Sequence, residues 1–361
     1  METNPRTDPR WEPFVRRHPR GCAFHHPGWL RALEEEYGQS RLHLAAEDED
    51  GRLLAVLPMF YTRGLPFNVG GHITRRRLSS LPRTPSGGVL SVDPEATKSL
   101  LHAAIEYSLA SGAQLELKTE EPGLEGLADG LVATRWRPTY VTMLPKREEG
   151  ITFGNSAARH RLKWAVNKAT KLGLELREAD NPSDLRAWYP LYLEVMRQNA
   201  VPARPYRFFR AIWETLRREG VLKLLLAERC SAHQRTLLAG SIILTFGSGA
   251  CYAFTGGKKK DFVFHPNDLI QWHAIHDSGR MGVGRYDFGE VAEEHQQLVQ
   301  FKSKWCAEPI PQFRYYHPAP VETAPTEGNS LQRIRRLTSF AWRQVPLPAT
   351  AACGEWLYRY L

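Results

Sequence analysis

Apolar and polar positions follow one order along the chain, and that order occurs twice. In the first half, HHPGWLRALEEEYG places apolar residues at helical spacing and stops at Gly38, which predicts a helix. RLHLAAEDED and GRLLAVLPMFY read as two strands joined by a polar Asp-Gly turn, the usual pattern of a hairpin. Residues 62–93 are rich in Gly, Pro, Ser and Arg and are expected to form loops with short strands. EATKSLLHAAIEYSLASG predicts a helix ending at Gly112, AQLELKT a strand, and TRWRPTYVTMLP a further strand.

The second half repeats the sequence of elements. SDLRAWYPLYLEVMRQN and YRFFRAIWETLRREG predict helices, and VLKLLLAERCSAHQRTLLAGSIILTF predicts strand, polar turn and strand. GACYAFTGG is a strand, NDLIQWHAIHDSGRMG a helix closing on glycine, and VGRYDFGE a strand. Leu53-Leu54-Ala55 corresponds to Leu237-Leu238-Ala239, and the run from Gly112 corresponds to the run from Gly282. The expected fold class is therefore mixed α/β (α+β): a tandem pair of similar mixed-sheet domains with an amphipathic C-terminal tail. The expected boundaries are 1–150, 151–317 and 318–361, the last comprising a linker and a helix. Between the two halves, Asn155-Ser156 is placed to cap a helix over AARHRLKWAVNKATKLG, with Ala158, Leu162, Val166, Ala169 and Leu172 on its apolar side.

Composition narrows the class. At 42% apolar and 24% charged, the 361 residues are too apolar for a disordered chain. The five cysteines are dispersed and odd in number, with no C-x-x-C pair, which argues against a disulfide framework or zinc ribbon and fits a reducing compartment. The start carries no apolar secretory segment, and no apolar run reaches the ~18 residues of a membrane span. A cytoplasmic location is expected, with peripheral contact at the inner membrane face as a variant of it. The net charge of +9 is uneven: residues 1–150 carry 19 basic and 20 acidic side chains, whereas residues 151–320 carry 24 and 16. A basic second half fits an anionic partner or, equally, a solvated basic surface.

Several segments, HPGWLRALEEEYG, ARHRLKWAVNKATKLGLEL, PARPYRFFRAIW, GSIILTFGSGACYAFTGG, PNDLIQWHAI and YDFGEVAEEHQQLVQFKSKWCAEP, resemble the FemAB-like branch of the GNAT acyltransferase superfamily. The resemblance is to members that accompany exosortase and PEP-CTERM exopolysaccharide clusters, and it spans residues ~25–315. It implies a tandem pair of GNAT domains and transfer of an acyl or aminoacyl group to an amine, with acyl-CoA or aminoacyl-tRNA as donor. The implied acceptor is a cell-envelope or exopolysaccharide precursor, free or lipid-linked. The R/Q-x-x-G-x-G/A pyrophosphate loop of CoA users has no clear counterpart here, nor does the helical arm of some bridge-forming relatives. An acyl-CoA N-acetyltransferase of a small metabolite or peptide amine, and a non-catalytic RNA- or phosphate-binding scaffold, are the alternatives.

Amide formation requires a neutral amine, and an amine of pKa ~10.4 is neutral in about one molecule in 2,500 at pH 7. A base or water relay is therefore expected. Asp287 and Glu290 in Tyr286-Asp287-Phe288-Gly289-Glu290 are the candidates, or else they cap a helix over VAEEHQQLV. Phe301-Lys302 matches a Phe-Lys pair of the FemAB-like enzymes, which implies an active-site role for Lys302, with Lys304 on the same face if this stretch is a strand. Tyr252 and Thr255 resemble the GNAT strand that receives the donor carbonyl, and Gly256, Gly257, Lys258, Asn267 and Asp268 lead to a helix start suited to phosphate, or form a solvated loop. Arg159 and Lys163 on the basic helix, Arg204 and Tyr206 in PARPYRFF, and Lys304-Trp305 are the substrate-binding candidates, while Phe208 and Phe209 are expected in the core. His273 with His276, and His25 with His26, lack the further ligands of a metal site. Cys251 and Cys306 lie near the candidate site without a pattern for covalent catalysis. In the tail, Leu331, Ile334, Leu337 and Ala341 form an apolar stripe among arginines, so 329–343 is expected either to contact a membrane surface or to dock on the protein itself.

Overall fold

A computed structural model describes residues 1–65, 75–82, 84–85, 87–145, 151–153, 156–231, 234–292, 294–320 and 338–360. In chain order the elements are α1 (Trp11–Arg17), α2 (Pro27–Tyr37), β1 (Ser40–Glu47), β2 (Leu53–Thr62), β3 (Arg77–Ser79), β4 (Leu90–Ser91), α3 (Pro94–Ala110), β5 (Gln114–Thr119) and β6 (Val132–Met143). Then follow α4 (Ser156–Lys171), β7 (Leu174–Glu178), α5 (Pro182–Gln198), α6 (Tyr206–Leu216), β8 (Leu222–Ser231), β9 (Gln234–Phe246) and β10 (Gly249–Gly257). The chain continues through α7 (Pro266–Arg280), β11 (Arg285–Glu290), α8 (Gln296–Ser303) and β12 (Glu308–His317), is helical over 338–344 (α9), and ends in α10 (Leu347–Leu357). Two units emerge from these elements. The first comprises Met1–Thr139, Ile310–Gln332 and Trp356–Leu361, and the second Tyr140–Pro309 and Arg333–Glu355.

In the first unit the strands run β1-β2-β3-β5-β12, with β4 paired to β2. The β1–β2 hairpin is antiparallel and β3 lies parallel to β5, so α3 is the crossover between them. α3 begins where Asp93 accepts the Ala96 N–H at 2.7 Å and Pro94 occupies the first turn. Alternation along β5 divides the sheet: Leu115 and Leu117 join Leu78, Tyr315 and the α3 residues Leu100, Leu101 and Ala104 in one apolar cluster. Glu116 is 1% exposed. Its carboxylate accepts from Arg77, Arg314 and Ser79, each at 3.1 Å. Burial works to protonate Glu116, but Lys118, Arg77 and Arg314 outweigh it and hold the carboxyl at about 2.

The second unit orders its strands β11-β10-β9-β8-β7, and the β8–β9 hairpin and β10 match the strands expected from the alternation. Gly256 of β10 pairs with Gly240 of β9. Added Cβ atoms at these positions would fall 2.6 Å from Tyr192 N and 2.6 Å from Trp188 Cδ1, so both glycines exist to let α5 lie directly on the sheet. Trp188 then donates its indole N–H to the Gly240 carbonyl at 2.8 Å. Phe208 and Phe209 are fully buried on the same side, as expected for core residues, with Phe209 edge-on to Trp188, Tyr192 and Phe254.

Three local readings are corrected. The stretch around Lys302 is helical, not extended, so Lys302 and Lys304 do not share a face by strand alternation. The helix after Glu290 begins only at Gln296, so neither Asp287 nor Glu290 caps it. Gly256 and Gly257 are paired strand residues and not part of a phosphate-cradling loop, which is reduced to Lys258 and the 3-10 turn Lys259–Phe264. Asn155, named as a cap for α4, and Leu331, Ile334 and Leu337 of the tail stripe lie outside the described residues. Within the second unit, residues 338–355 of the tail lie on that unit's own surface: Arg343 donates to the Gln198 carbonyl at 3.0 Å, Arg197 to that of Val345 at 3.3 Å. Gly354 lies so close to Ala203 that a Cβ would fall 2.0 Å from its carbonyl oxygen.

Candidate active site

The site is set by where two parallel strands stop pairing. β10 and β11 pair only at Gly249–Arg285, Ala250–Tyr286 and Cys251–Asp287. Beyond Cys251, β10 stays on β9 with an extra residue at Ala253, while β11 turns at Gly289, whose φ is +79°. Tyr252 follows the last β10 pair and Phe288 the last β11 pair, so these two residues stand where the strands part. The Tyr252 and Phe288 rings still meet at 6.3 Å.

α8 delivers Lys302 to this point. The side chain is 7% exposed, and Nζ donates to the carbonyls of Gly289 at 2.6 Å and Glu290 at 3.2 Å. Tyr140 presents its ring to the ammonium at 5.5 Å. Burial lowers the Lys302 pKa to about 8, against the opposing pull of Asp287, Cys251 and Glu290. Asp287 shapes the turn: Oδ1 accepts the Gly289 N–H at 2.7 Å, and Oδ2 lies 3.9 Å from Arg285. The two carboxylates are thus within the field of Lys302, with one of them held in the backbone turn.

Burial pushes the Tyr252 pKa up, with Thr255, Ser241 and Gln271 acting in the opposite sense. Ser241 donates to Thr255 Oγ1 at 3.2 Å, and Tyr286 donates to Gln271 Oε1 at 2.8 Å. Sequence reading missed Ser241, Gln271 and Tyr286. The signal was present: Ser241 interrupts an apolar strand and Gln271 is a fully buried amide among Leu269, Ile270 and Ala274 on α7.

The start of α7 is already electrostatically engaged. Asp268 in its first turn takes an ion pair from Lys304 and lies 3.3 Å from His265 Nδ1. Asn267 Oδ1 is buried and has no hydrogen-bond partner among the described residues, leaving one acceptor at this helix start uncommitted. Lys258 is exposed at the end of β10. The other candidates disperse. Trp305 is fully buried, edge-on to Phe153 at 5.3 Å, and belongs to the core and not to a binding surface. Arg204 is 4% exposed, stacked over Phe208 at 4.6 Å and Phe254 at 5.6 Å. Tyr206 opens α6 against Tyr189, while Arg159 and Lys163 point outward on α4. His273 and His276 lie on α7, where His276 packs against Trp272 and Phe153.

Residues 156–297 match the family model for the acetyltransferase (GNAT) domain, a span that contains β10, α7, β11 and the start of α8. No curated protein matches the sequence. Among solved structures, FemX superposes with a TM-score of 0.69 at 17% identity, covering 94% of this chain and 99% of that one. The C-terminal domain of a putative lysylphosphatidylglycerol synthetase from Agrobacterium fabrum gives 0.58 at 11% identity, covering 88% and 93%. L-PGS from Bacillus licheniformis gives 0.52 at 12% identity, covering 91% and 99%. These likenesses are of fold. The chain is a tandem pair of GNAT-like mixed α/β domains, with β1-β2-β3-α3-β5 in the first answering β8-β9-β10-α7-β11 in the second.

Proposed function

We propose that this chain, whose residues 156–297 match the GNAT acetyltransferase domain model and whose fold is similar to that of FemX, transfers an acyl or aminoacyl group to an amine and forms an amide. The observation that carries the reading is the buried Lys302 ammonium, pinned on the Gly289 and Glu290 carbonyls where β10 and β11 part. The donor is an acyl-CoA or an aminoacyl-tRNA. Similarity of fold to FemX and to the C-terminal domain of a putative lysylphosphatidylglycerol synthetase supports an acceptor among cell-envelope or exopolysaccharide precursors.

In the reaction the acceptor nitrogen attacks the donor carbonyl, and the C–S or C–O bond to the donor breaks. Asp287 or Glu290 takes the proton that the amine sheds, directly or through water. Lys302, with its third N–H, stabilises the oxyanion formed at the carbonyl, and Tyr252 protonates the departing thiolate or alkoxide. Thr255, Lys258 and Asn267 hold the donor along the end of β10 and the start of α7, with Asp268 positioning Lys304. Donor and acceptor are bound together, so transfer is direct.

The test is incubation of the protein with acetyl-CoA or with charged tRNA and a panel of amines, followed by mass spectrometry of the amine. A mass gain that requires protein and vanishes in Lys302→Ala supports the reading; full turnover in Lys302→Ala and Glu290→Ala rejects the site. Acetyl-CoA and aminoacyl-tRNA arms separate the two donors.

A further inference from the structure

The outer face of α4 and the neighbouring 3-10 turn Lys259–Phe264 form a surface that the proposed reaction does not use. α4 buries Leu162, Ala165 and Ala169 and turns Arg159, His160, Arg161, Lys163 and Lys171 outward. Its sequence, SAARHRLKWAVNKATK, contains five Lys and Arg and no acidic residue. At the centre of this face Trp164 is 57% exposed, overlaid by Lys168 at 4.7 Å and edge-on to His265 at 5.5 Å. His265 closes the 3-10 turn by donating its N–H to the Phe262 carbonyl at 3.0 Å. That turn carries Phe262 and Val263, 45% and 61% exposed, next to the exposed Lys258, Lys259 and Lys260. Its one acid, Asp261, is buried.

Three large apolar side chains in a basic setting, linked through one histidine, are not the pattern of a merely solvated face, which exposes apolar residues singly. The chemistry of the partner follows from the residue types. A bare Val263 beside Phe262 at the tip of a turn offers no platform for stacking a nucleic-acid base, which needs flat rings. The same pair is suited to entering the acyl boundary of a bilayer, while a Trp lies at headgroup level and the lysines meet lipid phosphates. Among the described residues no helix is long and apolar enough to cross a membrane, so such contact would be from one side. We propose that this face docks the second unit onto an anionic lipid bilayer, with Phe262, Val263 and Trp164 inserted and the α4, Lys259 and Lys260 cations against the headgroups.

The experiment is co-sedimentation of the full chain with vesicles of phosphatidylcholine alone and with about one third phosphatidylglycerol, at low and high salt. Binding is expected to the anionic vesicles and to fall with salt. Phe262→Ser/Val263→Ser, at exposed positions, should weaken it at least tenfold while leaving the thermal melt unchanged. Lys259→Glu/Lys260→Glu should weaken it separately through charge. Equal binding to neutral vesicles, no binding to either, or binding unaffected by the Phe262/Val263 double substitution overturns the proposal. So does tRNA binding that displaces the vesicles and depends on α4 but not on Phe262 and Val263, which would make the face an RNA surface.

Discussion

The Lys302 ammonium and the Gly289 carbonyl oxygen are 2.6 Å apart, and this contact ties α8 to the turn that ends β11. A cation buried on two carbonyls, with a pKa near 8, keeps one donor for the reaction only while it is protonated. Deprotonation therefore removes activity as pH rises. The transfer rate is expected to show a falling limb near pH 8 that moves upward or disappears in Lys302→Arg, which stays charged. Lys302→Ala should lower kcat by about 10²–10³-fold, the usual loss on deleting an oxyanion donor. A pH–rate profile of the three proteins checks both statements.

Gly256 has no room for a side chain. A Cβ there falls 2.6 Å from the backbone nitrogen of Tyr192, which cannot yield without displacing α5. Gly256→Val should cost about 1–3 kcal/mol of stability through overpacking. Gly257→Ala is the control, since its nearest neighbour would be 3.5 Å away. Urea midpoints of the two variants should differ accordingly.

Glu116 in the first unit binds Arg77 and Arg314 through opposite oxygens while being 1% exposed. Glu116→Gln leaves both guanidinium groups and Lys118 without their shared anion. A loss of about 3–5 kcal/mol is expected, as for breaking any buried ion pair on one side. Thermal unfolding of the variant measures it.

His43 gives the first unit an acid sensitivity. Its Nδ1 accepts the Met59 N–H at 3.2 Å, so the ring is neutral, and burial lowers its pKa to about 3. The unfolded chain takes up a proton below about 6.5 and the native one does not until about 3, so this contribution is whole above pH 6.5 and is lost as pH falls toward 3. The slope from this one group is about 1.4 kcal/mol per pH unit within that window. His43→Gln, which retains an acceptor, should flatten the measured dependence of stability on pH between 6 and 4.

The hairpins, the crossover helices and the twofold order of elements were readable because each buries one face, and one-sided burial leaves period two or period 3.6 in the sequence. Lys302 was also readable, through its neighbour Phe301 and the resemblance that the pair carries. What escaped has physical reasons. The Gly256-Gly257 pair looks the same in a string whether it cradles a phosphate or admits a helix, and only the position of Tyr192 decides. Trp305 follows two lysines and reads as surface, yet the turn after α8 sets it against Phe153 while Lys304 faces Asp268. Ser241, Gln271 and Tyr286 belong to three separate elements, and local pattern does not record that their polar atoms lie near one another.

The first unit closes only with a strand made after nearly all of the second. Glu116 and Arg314 are separated by 198 positions, and Tyr315 in the same late strand completes the first unit's apolar cluster. A ribosome adding roughly 5–20 residues per second takes about 10–40 s to travel between them. Throughout that interval the first sheet has an open edge at β5 and a carboxylate with one of its two arginines still unmade. The second unit's cluster from Tyr140 to Ala307, by contrast, is complete before Arg314 is synthesised. The half of the chain that is born first thus closes late, and the β12-facing edge of β5 stays unpaired by its native partner while translation proceeds.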